Sequence, residues 1–101
     1  MGAISQKGAE FLIQSRLADA ANGDVDALFE LGVTYSTGRG GMSVDLIEAH
    51  KWFNLAALSG SVAGQECRAD ISIEMTAREI AEAQRQARAW LSETGFVRRA
   101  A

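Results

Sequence analysis

Apolar residues recur at intervals of three and four along most of the chain, which is the spacing of an amphipathic α-helix. No stretch of alternating apolar and polar residues competes with this pattern. We therefore predict an all-α fold. Five helices are expected, over residues 4–21, 25–37, 45–59, 62–74 and 77–93.

Residues that favour helix ends lie between these segments. Gly23, Gly60 and Gly95 follow the first, third and fifth helices, where glycine can adopt the left-handed conformation of a cap. Side chains that can accept a hydrogen bond from a helix N-terminus stand at the predicted starts. They are Asp24, Asp45 or Ser43, and Thr76, the last in a T-x-x-E capping box with Glu79.

Each of four helices has one apolar stripe that predicts its buried face. For the first helix the stripe is Phe11, Leu12, Ser15, Leu17 and Ala18, and for the second it is Leu28, Leu31, Gly32 and Tyr35. For the third it is Ala49, Trp52, Phe53 and Ala56, and for the fifth Ile80, Ala83, Ala87, Trp90 and Leu91. The fourth helix has weaker propensity because β-branched residues lie near its end.

A short sequence pattern recurs along the chain. Residues 22–25 read Asn-Gly-Asp-Val and residues 59–62 read Ser-Gly-Ser-Val, which is a separation of 37 positions. Ala20 and Ala57 match at the same offset. Two helices in a period of this length are typical of a helical solenoid, in which each hairpin needs its neighbours to bury its apolar side.

The stretch from residue 27 to residue 60 carries a specific motif. It reads A-x-x-x-L-G-x-x-Y-x-x-G-x-G, followed by D-x-x-x-A-x-x-W-x-x-x-A-A-x-x-G. It resembles the Sel-one-like repeats, which are relatives of the tetratricopeptide repeats. The matching residues are Ala27, Leu31, Gly32, Tyr35, Gly38, Gly40, Asp45, Ala49, Trp52, Ala56, Ala57 and Gly60.

The neighbouring segments fit this motif less well. In residues 61–91, Arg68 and Ala69 stand where the motif has Leu-Gly, the loop is shorter, and Trp90 does not align with Trp52. The first helix looks like the second half of a preceding, degenerate repeat.

The resemblance implies a short right-handed α-solenoid within a single domain, residues 1–95. Its parts are a leading helix (4–23), a well-matched repeat (24–60) and a degenerate repeat (61–93), followed by a tail (96–101). It also implies a protein–protein interaction module, an adaptor or scaffold without catalysis, of a kind often found in bacteria. The partner would be an unidentified protein or peptide. The alternative is a structural or self-associating fragment of a longer repeat protein.

Composition and charge narrow the classes of function further. The chain is 48% hydrophobic, which argues against disorder, and it has no proline that would interrupt a helix. Its net charge of −3 argues against nucleic-acid binding. No apolar run is long enough for a membrane span, and the first ten residues lack the apolar segment of a signal peptide. A cytoplasmic location, with no membrane partner, is the default expectation.

Candidate chemistry is sparse, and we expect neither a cofactor nor a metal. Residues 37–41 (Thr-Gly-Arg-Gly-Gly) lack the strand and the Lys-Ser or Lys-Thr of a phosphate-binding loop. His50, the one histidine, is predicted to lie on a solvated surface, and Cys67 to be a half-buried structural thiol. Glu66 and Asp70 are predicted to form a solvated acidic face or an acidic patch for a basic partner.

A surface on the second helix remains as the candidate site. In the related tetratricopeptide fold, the first helix of each unit lines a concave groove. The corresponding positions are Asp26, Phe29, Val33, Ser36 and Thr37. Phe29 and Val33 lie off the predicted core stripe, which favours a contact surface. The alternative is that the first helix or a second copy of the chain covers them.

Overall fold

The computed structural model of this protein describes residues 6–95, which form five α-helices and no strand. The helices are α1 (Gln6–Ala21), α2 (Val25–Thr37), α3 (Leu46–Leu58), α4 (Val62–Ser72) and α5 (Ala77–Thr94). A short 3-10 turn (Arg39–Gly41) connects α2 to α3. The all-α prediction is therefore confirmed for this part of the chain. The predicted start of the first helix at residue 4 and the predicted tail at 96–101 lie outside the described residues.

Helix starts follow the predicted caps. The Asp24 carboxylate accepts the backbone N–H of Ala27 at 3.2 Å, and the Asp45 carboxylate accepts that of Glu48 at 3.1 Å. Asp45, rather than Ser43, is thus the cap of α3. At α5, Thr76 and Glu79 form the predicted capping box. Each cap satisfies a backbone donor that has no partner within the helix.

The third helix is the centre of the molecule. Helices α2, α4 and α5 all pack on α3, while α1 packs on α2. The predicted stripe of α3 is confirmed, since all four of its residues are buried, and Leu55 extends it. The fifth helix makes its main contacts with α3, so the last two helices do not pack as a tight hairpin.

Two small residues permit close approach of helices to α3. A Cβ atom added at Gly32 would overlap the ring of Phe53, at 2.5 Å from Cε1. One added at Gly64 would lie 2.9 Å from the Cβ of Ala56. Gly32 and Gly64 are therefore points of close helix contact, because side chains of ordinary size there would separate the helices.

The predicted buried face of α1 is confirmed at Leu17 and wrong at the other four positions. Phe11 is 72% exposed and Leu12 is 48% exposed, while Ala20 is fully buried. Ile13 and Leu17 are the half-buried residues that pack against the core. The reason is that α1 contacts its neighbours along one narrow side only. Ile13, Leu17 and Ala20, which are four and three residues apart, lie on this side, and the adjacent apolar residues do not.

The turns that precede α2 and α4 have the same geometry, 37 residues apart. Gly23 and Gly60 have φ angles of +92° and +101°. The caps that follow, Asp24 and Ser61, adopt φ/ψ of −75°/107° and −77°/111°. Ser61 also accepts a backbone N–H three residues on, from Gly64 at 2.9 Å. The recurring sequence pattern thus corresponds to a recurring backbone conformation.

Candidate functional site

The five residues predicted to line a groove lie on one side of α2. Asp26 and Thr37 are exposed, and Val33 and Ser36 are half-buried. The hydroxyl groups of Ser36 and Thr37 donate to the carbonyl of Val33, at 3.2 and 2.7 Å. These hydroxyl groups are therefore held against the backbone of α2. Val33 lies between Asp26 at one end of this face and Ser36 and Thr37 at the other.

Phe29 belongs to this face of α2 and also packs against the protein core. Its ring is half-buried and lies 5.6 Å from the ring of Phe53, at an interplanar angle of 49°. It also packs against the buried core. Phe29 therefore contributes to stability, and Val33 is the better residue with which to test the surface.

His50 is not on the surface, which corrects the expectation for this residue. The side chain is only 2% exposed, and its Nδ1 atom has no hydrogen-bond partner among the described residues. Burial lowers the pKa of His50, and the nearby charge of Arg68 lowers it further. Arg68 in turn donates to Oδ1 of Asn54 at 2.6 Å, which ties α4 to α3.

We expect the burial of His50 to make stability depend on pH. Because the pKa is lower in the folded protein than the ordinary value of about 6.5, the unfolded chain binds protons more readily. The free energy of unfolding should thus be at its full value above about pH 7 and fall as the pH drops through 6.5. Urea unfolding between about pH 5 and 8 measures this, with His50→Gln as the control. An equal slope in both proteins would contradict the assignment.

Cys67 has the half-buried position that the sequence predicted. Burial raises the pKa of its thiol, and the carboxylates of Asp70 and Glu66 raise it further. Because the thiolate is the nucleophilic form, these surroundings make the thiol less reactive at neutral pH.

The glycine-rich loop between α2 and α3 is held in place by local contacts. The Asp45 N–H donates to the carbonyl of Tyr35 at 2.8 Å, which closes the loop. Arg39 forms an ion pair with Glu30 at 2.6 Å, which joins the loop to α2. Gly38 adopts a φ of +74° as the C-terminal cap of α2. The loop is thus built as a connector between two helices.

One concave feature was missed in the sequence analysis. A cleft of about 100 Å³ lies between α1, α2 and the loop. Its apolar lining includes Leu12, Ile13 and Met42, and Arg16 and the Arg39–Glu30 pair lie around it. No sequence signal could have indicated it, because its three parts come from segments with unrelated patterns.

Comparison with known proteins adds no assignment, since no family model, curated protein or solved structure matches this chain. Among the described residues, no group of three or more His, Cys, Asp or Glu side chains is placed to hold a metal ion. Within residues 6–95, none of the helices combines the length and apolar character that a membrane crossing requires.

Proposed function

We propose that this protein is a protein–protein interaction module without catalysis, built as a short right-handed solenoid of helical hairpins similar to Sel-one-like repeats. Two observations support the architecture. One is the motif in residues 27–60, and the other is the equal geometry of the turns before α2 and α4. Equal turns give α2 and α4 the same starting geometry, and a solenoid generates an extended binding surface by repeating such a geometry.

The observation that carries the proposed function is the face of α2 formed by Asp26, Phe29, Val33, Ser36 and Thr37. It has an apolar centre and polar ends, and its centre is only half-buried by the described helices. Interfaces have this composition, with apolar residues at the middle and a polar rim. We infer that a segment of a partner protein covers this centre.

Substitution of Val33 tests the proposal. We expect Val33→Ser to weaken binding of a partner captured from native lysate by about fivefold, since a central apolar contact contributes about 1 kcal/mol or more. Circular dichroism and the melting temperature should be little changed. Leu58→Ser is the matched control, because Leu58 is 64% exposed on α3. Capture that is equal in both variants would show that the site lies elsewhere.

Phe29→Ala should weaken the same binding by about 2 kcal/mol or more. It should also lower the melting temperature, because Phe29 contacts Phe53. The affinity must therefore be measured well below the melting transition. The double variant with Val33→Ala then reports the whole apolar centre.

A second candidate function is a structural or self-associating piece of a repeat protein. The exposed Phe11 and Leu12 of α1 favour it, because a preceding repeat or a second copy would cover apolar residues at this end. Light scattering after size exclusion separates the two candidates. A monomer favours the adaptor, and an oligomer that Phe11→Ser dissociates favours self-association.

A further inference from the structure

Helices α2 and α4 carry acidic and apolar side chains and a single basic residue. The two helices pack on α3 and contact each other. Their only basic residue is Arg68, and its guanidinium is bonded to Asn54 of α3. The positive charge of Arg68 is therefore directed towards α3. The charged side chains of α4 on the side away from α3 are carboxylates.

The 37-residue offset places the acidic residues of α4 at the positions of the candidate site on α2. Glu66 corresponds to Phe29 and Asp70 to Val33. Both carboxylates are exposed. Ile73 corresponds to Ser36 and is 85% exposed, an unusual position for an isoleucine. We call these corresponding positions the α2–α4 face, and its members are Asp26, Phe29 and Val33 on α2, Glu66 and Asp70 on α4, and Ile73 and Glu74 directly after α4.

The carboxylates of the α2–α4 face have no ion-pair partner within residues 6–95. Three carboxylates elsewhere in residues 6–95 are paired with a base. These are Glu30 with Arg39, Glu48 with Lys51, and Glu82 with Arg85. Glu66 and Asp70 are four residues apart on one helix, so their charges repel each other. A cationic partner would relieve this repulsion.

We propose that the α2–α4 face binds a basic amphipathic segment of a partner protein, in which arginine or lysine alternates with apolar residues. The apolar residues would contact Val33, Phe29 and Ile73, and the basic ones would pair with Glu66, Asp70, Asp26 and Glu74. Charge complementarity selects this partner over an acidic or purely apolar one. This inference rests on the proposed function and adds the chemistry of the partner.

Synthetic peptides of matched spacing provide the test. Fluorescence anisotropy would compare an arginine/leucine peptide with a glutamate/leucine peptide and an arginine/serine peptide, at low and high salt. We expect only the first to bind well, with affinity falling as salt rises. Glu66→Gln and Asp70→Asn should each weaken binding about two- to fivefold, as for exposed ion pairs. Ile73→Ser should weaken it without changing the salt dependence.

Glu93→Gln is the matched control, because Glu93 is exposed on α5 and has no ion-pair partner in the described part of the chain. An equal effect of Glu93→Gln would overturn the proposal, since it would indicate attraction by net charge alone. Equal binding of the arginine/serine peptide would also overturn it, because the apolar contacts would then contribute nothing.

The failure of this inference is distinguishable from failure of the proposed function. A captured partner that depends on Val33 but is indifferent to Glu66 and Asp70 leaves the interaction module in place and overturns the basic segment. If neither set of variants changes capture, both proposals fail. If the chain forms oligomers, and Glu66→Gln and Asp70→Asn dissociate them, the basic residues that bind this face belong to a second copy of the chain. That result would overturn the proposal of a separate partner protein.

Discussion

Replacement of Trp52 by alanine should lower the free energy of unfolding by about 3–5 kcal/mol, a large part of the stability of a domain of this size. The side chain is 2% exposed on the central helix. Its ring meets Trp90 of α5 edge to face, with centroids 5.5 Å apart. Its Nε1 donates to Glu48 at 3.0 Å, so the polar atom is satisfied as well. Removal of the side chain leaves a cavity between α3 and α5.

Urea unfolding followed by circular dichroism measures this effect. Trp52→Phe is the control for the ring contact, because it keeps most of the apolar volume and loses the N–H donor. Its expected loss is smaller, about 1–2 kcal/mol. Leu58→Ala, at a position 64% exposed, should have almost no effect. If Trp52→Ala melts within a few degrees of the parent, Trp52 is not the anchor between α3 and α5.

Replacement of Gly32 by leucine should also destabilise the fold strongly. In an exposed helix, removing a glycine would add up to about 1 kcal/mol of stability. Here a Cβ atom alone would approach three ring carbons of Phe53, at 2.9 Å or closer. Overpacking of this kind typically costs about 1–3 kcal/mol, and a leucine adds three further carbons to the same contact. We therefore expect a net loss of stability even for Gly32→Ala.

A double-mutant cycle separates overpacking from other effects. Phe53→Leu replaces the rigid ring by a smaller, flexible side chain, so Gly32→Ala should be less harmful in that background. The two substitutions should then show a coupling energy of about 0.5–3 kcal/mol. A higher melting temperature for Gly32→Leu would show that α2 and α3 do not approach closely at this point, and the repeat alignment would be wrong.

Much of the local structure could be predicted from the sequence, because helix signals act over three or four residues. The cap at Asp24, the capping box at Thr76 and the left-handed glycine at Gly60 each depend on neighbours in the chain. The stripe on α3 was also predictable. Other helices pack on several sides of α3, so an apolar residue next to the stripe is also in contact with a neighbouring helix. The end of α4 was less so: it stops at Ser72, two residues before its predicted end.

The candidate site was only partly predictable. The spacing placed Asp26, Val33 and Thr37 together, since residues three, four and seven apart share a side of a helix. The contact of Phe29 with Phe53 was not foreseen, because it depends on how closely α2 approaches α3. The direction of the Arg68 side chain likewise depends on the packing of α4 against α3, because its guanidinium is bonded to Asn54.

The helices, most of their ends and the apolar stripe of the central helix can be predicted from the sequence, since they follow from short-range spacing and capping. Which positions at the edge of a stripe are covered depends on how the helices pack together. His50 is buried because α4 lies against that side of α3, whereas Phe11 is exposed because no described helix lies against that side of α1. The physical reason is the same in both cases: burial at the edge of a stripe depends on the position of a neighbouring helix, which the helix's own residues do not specify.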